Sequence, residues 1–372
     1  MRAAHPGDLR FPVVAVAEPD RSARGPRSRE AEVVALDRGS GDLYEVVVDL
    51  DRSAVVRDET VPGAVPCLLF DESLNAILAV QADPRWLAAM AARGVTDIST
   101  VQIDPWPAGN FGIPGEDGRR LARCVCYLRD DPADNGYAHP VEGLVAVVDL
   151  ATDEVIEVVD SGMVPIPPAP GRYGAGPYRE GLQPIEITQP SGPSFALEGN
   201  EVSWLGWRLS FTVHPIEGLV LRDVGYAGRS ILTRASIAEM VVPYGASGAS
   251  HWWKNAFDVG EWGLGRMIQS LSLGCDCLGE IRYADAVLPD EQGGARVVAN
   301  AVCMHEEDYG ILWKHVDLWS GNDEVRRSRR FVISSISTVG NYEYGFYWYF
   351  YLDGTIQLLS LIHISEPTRQ AE

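Results

Sequence analysis

Several residue clusters in this sequence could do chemistry. His305-Glu306-Glu307-Asp308 sets one imidazole beside three carboxylates, donor types that suit a divalent metal. The next histidine, His315, lies too far on for an H-E-x-x-H helix, so the plainer reading is a solvated acidic turn. Gly260-Glu261-Trp262-Gly263-Leu264-Gly265 is glycine-rich but has neither the dinucleotide-binding nor the P-loop spacing. Trp252-Trp253, close to Asp258, could line a pocket or simply fill a core. Arg326-Arg327-Ser328-Arg329-Arg330 is a basic island. It sits in a chain of 31 basic and 52 acidic residues with net charge −21. Nucleic acids and anionic membranes need clustered positive charge, so ion pairs or a subunit contact suit this island better. The six cysteines form no C-x-x-C and are too few for a disulfide scaffold. Cys124 and Cys126 would share one face of a strand as small buried apolar groups.

The elements that must position such residues can be read from spacing. A chain of 372 residues suggests two to three domains, and 46% hydrophobic with 22% charged residues is a globular composition. No apolar run is long enough to span a bilayer and the N-terminus has no secretory core, so the expected setting is soluble and cytoplasmic. Residues 1–62 are expected to form a small, incomplete α+β module. It opens in coil and has β-like runs at 32–36 and 43–50 around a hairpin turn. Residues 63–165 are expected to form a second α+β module. Its helices would lie over 67–81 and 84–90, the latter ended by Gly94, with strands at 120–128, 143–150 and 154–159. Residues 166–200 read as a linker, because 161–195 hold eight prolines and six glycines. Residues 201–359 read as a mainly-β antiparallel sandwich. Its expected strands are 202–213, 218–224, 281–288, 295–303, 310–316 and 330–339, with a type I′ hairpin at Asp353-Gly354. Residues 360–372, SLIHISEPTRQAE, look like adapter read-through: a non-native tail that completes no strand pair.

Composition and spacing alone yield a soluble, multidomain, β-rich protein. The string Thr338-Val339-Gly340-Asn341-Tyr342-Glu343-Tyr344 goes further. It resembles the Asn-Tyr-Asp/Glu-Tyr signature of the copper-containing amine oxidases, in which the first tyrosine becomes topaquinone. Blocks at 139–144, 187–195, 234–245, 257–263, 273–279, 303–308 and 326–330 resemble the same family in its order and spacing. The resemblance runs to about Leu358.

The resemblance implies a role for each matching residue. Tyr342 would be the quinone precursor, supplying an electrophilic carbonyl for a primary amine. Asp258 would be the base that takes a proton from the amine-bearing carbon, its proton affinity raised by an apolar pocket. Phe257, Trp252 and Trp253 would be suitable walls for that pocket. Tyr244 would hydrogen-bond the quinone oxygen, and Asn341 would pack against the ring. Phe257 and Trp262 would border the substrate channel. Ala256 stands where some relatives carry an aromatic gate, which implies a wider channel and bulkier amines. Cys277 and Cys303 match the family disulfide, worth about 3 kcal/mol in the chain-entropy picture. The implied reaction takes a small primary amine and O2 to aldehyde, ammonia and hydrogen peroxide in a homodimer.

The match breaks at the metal. The family binds copper through three histidines after the quinone, two of them as His-x-His, and this sequence has no His-x-His. After Tyr342 only His363 remains. The expectation is therefore that neither copper nor topaquinone assembles in this chain, that no residue of it ligates metal, and that it is inactive. The alternatives are a non-catalytic β-sandwich dimerisation module of the same fold, or a different metal site built on His305 and His315.

Overall fold

The computed structural model describes residues 2, 4–18, 29–129, 131–169, 171 and 180–364, excluding the Ile364 side chain. Strands β1 (Leu9–Val16), β2 (Glu30–Asp37), β3 (Leu43–Asp49) and β4 (Ala54–Thr60) pair antiparallel in sequence order. Leu9, Phe11, Val33, Ala35 and Val46 bury one face. This unit has no helix among its described residues. β1 falls in the stretch expected to be coil. Pro12 interrupts its alternation at a register shift between Arg10 and Val13, which an edge strand tolerates. β4 is exposed at every residue, so no alternation marks it.

The second unit starts with helix α1 (Phe70–Ala82), which buries Glu72, Ala76 and Val80 at helical spacing. The Glu72 side chain accepts from the Leu69 N–H at 3.1 Å and from Arg120 at 2.6 and 2.7 Å. Helix α2 (Pro84–Ala92) is capped by Asp83, which accepts from the Arg85 and Trp86 N–H groups, with Pro84 at the first position. It buries Trp86 and Met90, and Gly94 follows at φ +81°. The helices cover a sheet of β5 (Val101–Pro107), β6 (Leu121–Leu128), β7 (Leu144–Asp149) and β8 (Glu154–Asp160).

The described part of the 166–200 stretch has neither helix nor strand until β9 (Phe195–Glu198), where the chain re-enters a sheet earlier than expected, with Phe195 buried. β9 pairs with β10 (Glu201–Trp204), followed by β11 (Trp207–His214), β12 (Gly218–Tyr226) and β13 (Arg229–Ala235). The facing sheet is β16 (Arg282–Pro289), β17 (Ala295–Val316), β18 (Asp323–Val339), β19 (Tyr342–Tyr351) and β20 (Ile356–Ile364). Trp204, Trp207, Phe211 and Leu221 from one sheet meet Met304, Phe331, Ile333 and Phe350 from the other, making an antiparallel sandwich. Between the sheets in sequence lies a short hairpin of β14 (Val241–Pro243) and β15 (Asn255–Phe257).

Three further expectations change. Residues 305–308 are no turn: they run mid-strand in β17, which is one strand through both expected pieces. Their carboxylates meet the arginines of β18, with Glu307 on Arg330 at 2.6 Å, Glu306 on Arg329 at 3.4 Å, and Asp308 on Arg327. Residues 360–364 do complete a strand pair, with Ser360 opposite Phe346 and His363 opposite Glu343; residues 365–372 lie outside the described residues. In the β19–β20 turn only Gly354 has positive φ, so it is not type I′.

The units meet at Glu291. It pairs with buried Arg266, takes the Phe70 N–H at 2.9 Å on its side chain, and takes the Phe11 N–H at 2.8 Å on its carbonyl. Among the described residues no helix is long and apolar enough to cross a membrane.

Candidate active site

The site is built from two hairpins. In the first, β18 and β19 join through Gly340 and Asn341, with Val339 opposite Tyr342. Gly340 sits at φ +58° and the Tyr137 hydroxyl lies 3.7 Å from where its Cβ would stand. Tyr342 and Tyr344, two apart on a strand, share a face, and their rings stack at 6.0 Å and 9°. The second hairpin is β14–β15. The Tyr244 N–H bonds the Lys254 carbonyl at 3.1 Å beyond one end, and the Asp258 N–H bonds the Met240 carbonyl at 3.0 Å beyond the other. Tyr244 and Asp258 thus stand at opposite ends of one short ladder. The β19 face bridges them: the Tyr342 and Tyr244 hydroxyls are 2.6 Å apart, and the Tyr344 hydroxyl donates to the Asp258 carboxylate.

Asp258 opens a single π-helical turn, Asp258–Trp262, and is 3% exposed. Burial raises its pKa, the Tyr344 hydrogen bond opposes that, and nearby Glu239 adds to it. On the same turn Glu261 is pushed up to about 7, by burial first and by Asp258 and Glu239 after it, although it accepts the Phe257 N–H at 2.9 Å. Burial and the Asp258 charge push the Tyr344 phenol far up. This end of the site favours bound protons.

The other end is a cavity of about 120 Å³. Tyr342, Tyr244, Asn341 and Lys254 line it from the sandwich side, and Trp106 and Tyr137 from the β5–β8 unit. Pro140, Val141 and Glu142, from the 139–144 block, also border it. The Asn341 side chain is 5% exposed, and its Nδ2 has no hydrogen-bond partner among the described residues. Asp258 does not border this cavity; it connects to Tyr342 through Tyr344.

Tyr342, Tyr244, Asn341 and Asp258 therefore come together. Ala256 is buried on β15, opposite Val242. Phe257, opposite Val241, carries the N–H capped by Glu261. The Trp262 indole meets Trp106 edge-on at 6.1 Å. None of these three borders the cavity. Nor do Trp252 and Trp253: Trp253 is buried against Val125, Tyr127 and Val145, and Trp252 is exposed beside Phe111. Cys277 and Cys303 are neighbours in one small buried cluster, but both are free thiols, so the bridge implied by resemblance is not formed here. A hydrogen bond with Cys303 brings the Cys277 thiol down to about 7, and the same contact with burial pushes Cys303 far up. His305 and His315 lie ten residues apart on one strand, about 33 Å at ordinary rise, and cannot share an ion. Among the described residues no three His, Cys, Asp or Glu side chains are grouped to hold a metal.

Spacing also missed residues. Trp106 and Tyr137 reach the cavity from another unit, and no periodicity in the sequence announces that. Glu261 lies inside the 257–263 block and Lys254 between two blocks, and neither carries a local signature. Tyr344 was legible in one respect, as the i+2 neighbour of Tyr342.

Residues 196–361 match the family described as copper amine oxidase, enzyme domain, and residues 72–174 match the copper amine oxidase N3 domain. A histamine oxidase of Arthrobacter globiformis is 45% identical over 364 residues, covering 94% of this chain and 53% of that protein. A peroxisomal copper-containing diamine oxidase of Nicotiana tabacum is 44% identical over 355 residues, covering 88% and 45%. The crystal structure of a copper-containing benzylamine oxidase from Hansenula polymorpha superposes with a TM-score of 0.84 at 27% identity, over 95% of this chain and 60% of that one. The chain spans about half the length of the curated relatives it matches.

Proposed function

The chain belongs to the copper amine oxidase family, and on that premise we propose that it carries the amine-processing half of a primary-amine oxidase site. The proposed reaction converts R-CH2-NH2, O2 and water to aldehyde, ammonia and hydrogen peroxide. The observation that carries the reading is the continuous link from Tyr244 through Tyr342 and Tyr344 to Asp258.

Tyr342 is the proposed precursor of topaquinone, which when formed supplies an electrophilic carbonyl toward a primary amine. The surroundings fit such a group. Asn341 Nδ2 is a buried donor without a partner, and tyrosine has no second ring oxygen to offer it. Tyr244 holds the Tyr342 oxygen in place. Asp258 accepts the carbon-bound proton, with burial strengthening its basicity and Tyr344 fixing its orientation. Ala256, small and buried, is proposed to widen substrate choice relative to an aromatic residue there.

Copper does not fit the described residues, among which no three His, Cys, Asp or Glu side chains are grouped to hold it. Tyr342 of this 372-residue chain is accordingly expected to stay an unmodified tyrosine after exposure to copper and air. Mass measurement of its peptide checks this; a gain of oxygen would overturn it. The proposed partner is a second copy. The far end of the β17–β18 hairpin supports that reading, with Tyr309, Ile311 and Trp313 half-exposed and Leu318 and Trp319 almost fully so.

The experiment for the activity uses a protein extended to its relatives' length and follows amine-dependent peroxide release. Tyr342→Phe should abolish it, and Asp258→Asn should lower it by about 10²–10⁴-fold. Full turnover in Tyr342→Phe would remove the assignment. Ala256→Tyr should slow bulky amines more than small ones, and an unchanged preference would sink the channel idea.

A further inference from the structure

Lys254 is a charged residue that the chemistry above leaves unused. It is 6% exposed, and lysine is rarely buried so deeply without a reason. Its ammonium stands 4.8 Å from the centre of the Trp106 ring and 5.6 Å from that of Tyr244. It lines the cavity that holds the Tyr244 and Tyr342 hydroxyls. Its position is set by the hairpin ladder, through the Tyr244 N–H to Lys254 carbonyl bond.

We propose that Lys254 is a positioning residue acting through Tyr244: its ammonium over the phenol face makes Tyr244 the donor in the short bond and Tyr342 the acceptor. The proposal rests on the reading of Tyr342 as the reacting ring. A cation on the face of a phenol is attracted by the ring's negative quadrupole, and more strongly once the ring carries a phenolate charge. The Tyr244 hydroxyl is thereby the more acidic of the pair and the better donor. At 2.6 Å the two oxygens share one bridging proton, so whichever ring feels the cation decides its direction.

The rest of the site points the same way. Asp258, Glu239 and Glu261 gather at the Tyr344 end and disfavour an anion there. At the cavity end the charged groups near Lys254 are Glu142, bonded to His251 at 2.8 Å, and Asp104, half-buried on β5. Both carboxylates feel the Lys254 charge, which lowers their proton affinity, while burial raises that of Asp104. The field thus runs from a cation behind Tyr244 to carboxylates behind Tyr344, with Tyr342 between. An oxygen on the Tyr342 ring that gains negative charge would be met by a donated proton from Tyr244.

The test needs neither metal, cofactor nor amine, and uses the 372-residue chain labelled at tyrosine Cζ. In the unsubstituted chain, NMR should correlate the bridging hydroxyl proton with Tyr244; correlation with Tyr342 would overturn the proposal. Titration through the tyrosine range follows, with Tyr244→Phe identifying the signal. Lys254→Gln should weaken Tyr244 as an acid about tenfold, and Lys254→Arg should restore it to within about twofold. An unchanged Tyr244 titration in Lys254→Gln would overturn the role. Because no turnover is read, that result would leave the amine oxidase reading intact. Loss of that reading in the peroxide assay would equally leave the titration to be explained.

Discussion

Two four-stranded sheets in this molecule share one topology and differ in almost everything else. β1–β4 and β5–β8 are both antiparallel with strands in sequence order. In the first, a small core lies on one face and β4 is exposed throughout. In the second, β7 is buried at every residue and β6 at all but its last. Helices α1 and α2 cover one face with Trp86, Met90 and Val80, and Trp253 covers part of the other beside Val125, Tyr127 and Val145. Of these two sheets, among the described residues, only the doubly covered one contributes walls to the cavity at Tyr342, through Trp106, Val125, Cys126 and Tyr127. Strand order therefore does not assign a role; the number of faces a sheet buries, and against what, does.

The comparison can be broken by substitution, and the largest effect should come from the helix-covered face. Trp86→Ala removes a fully buried indole that also bonds Cys126 and should cost about 4 kcal/mol. Hydrogen exchange along β7 in denaturant checks it; a cost below that of a β1–β4 core change would break the contrast. Glu72→Ala should cost about 3 kcal/mol, because it leaves the part-buried Arg120 with only the Pro66 and Cys67 carbonyls and no counter-charge, and the Leu69 N–H without its acceptor. The double variant with Arg120→Ala should recover part of that loss. In the first sheet, Val46→Ala should cost about 2 kcal/mol, read from exchange of β2 and β3 amides.

A smaller effect is expected where α2 meets β8. The Arg93 guanidinium grips Asp160 with bonds of 2.7 and 3.0 Å and brings its pKa down to about 2. A depressed carboxylate contributes stability above its ordinary pKa of about 4, and loses it as pH falls toward the folded value. The stability gap between the unsubstituted chain and Arg93→Met should therefore close between about pH 4 and pH 2. Asp160 is well exposed, so solvent screens the pair and the gap is modest. Least of all, Val56→Thr on exposed β4 should change stability by less than about 0.5 kcal/mol, measured by urea midpoint.

Legibility followed burial. Helices α1 and α2 were readable because one face is buried at helical spacing and Asp83, Pro84 and Gly94 punctuate them. β4 was unreadable because it has no buried face, and β5 because Pro105 and Pro107 sit where only an edge strand permits them. The acidic run at 305–308 looked like a turn because its arginine partners are about twenty residues away, on β18. At the candidate site the sequence offered motif residues but no distances. Tyr244 bonds Tyr342 across 98 positions, and Tyr344 bonds Asp258 across 86. Spacing cannot carry information over such separations; resemblance supplied the names, and the two hairpins supplied the geometry.

What the sequence by itself determined is local: which stretches turn, which alternate, which carry the tyrosines and acids, and which family's order they follow. Hydrophobic period and turn chemistry act over a few residues, so they can be read from a few residues. Tertiary structure alone decided that Tyr342 lies between a buried cation and a carboxylate cluster. It also decided that Trp106 and Tyr137 of another unit reach the Tyr342 site, and that Asp258 meets it through Tyr344. The physical reason is that proton affinity depends on burial and on charges within a few ångströms, and those neighbours are chosen only when distant segments pack together.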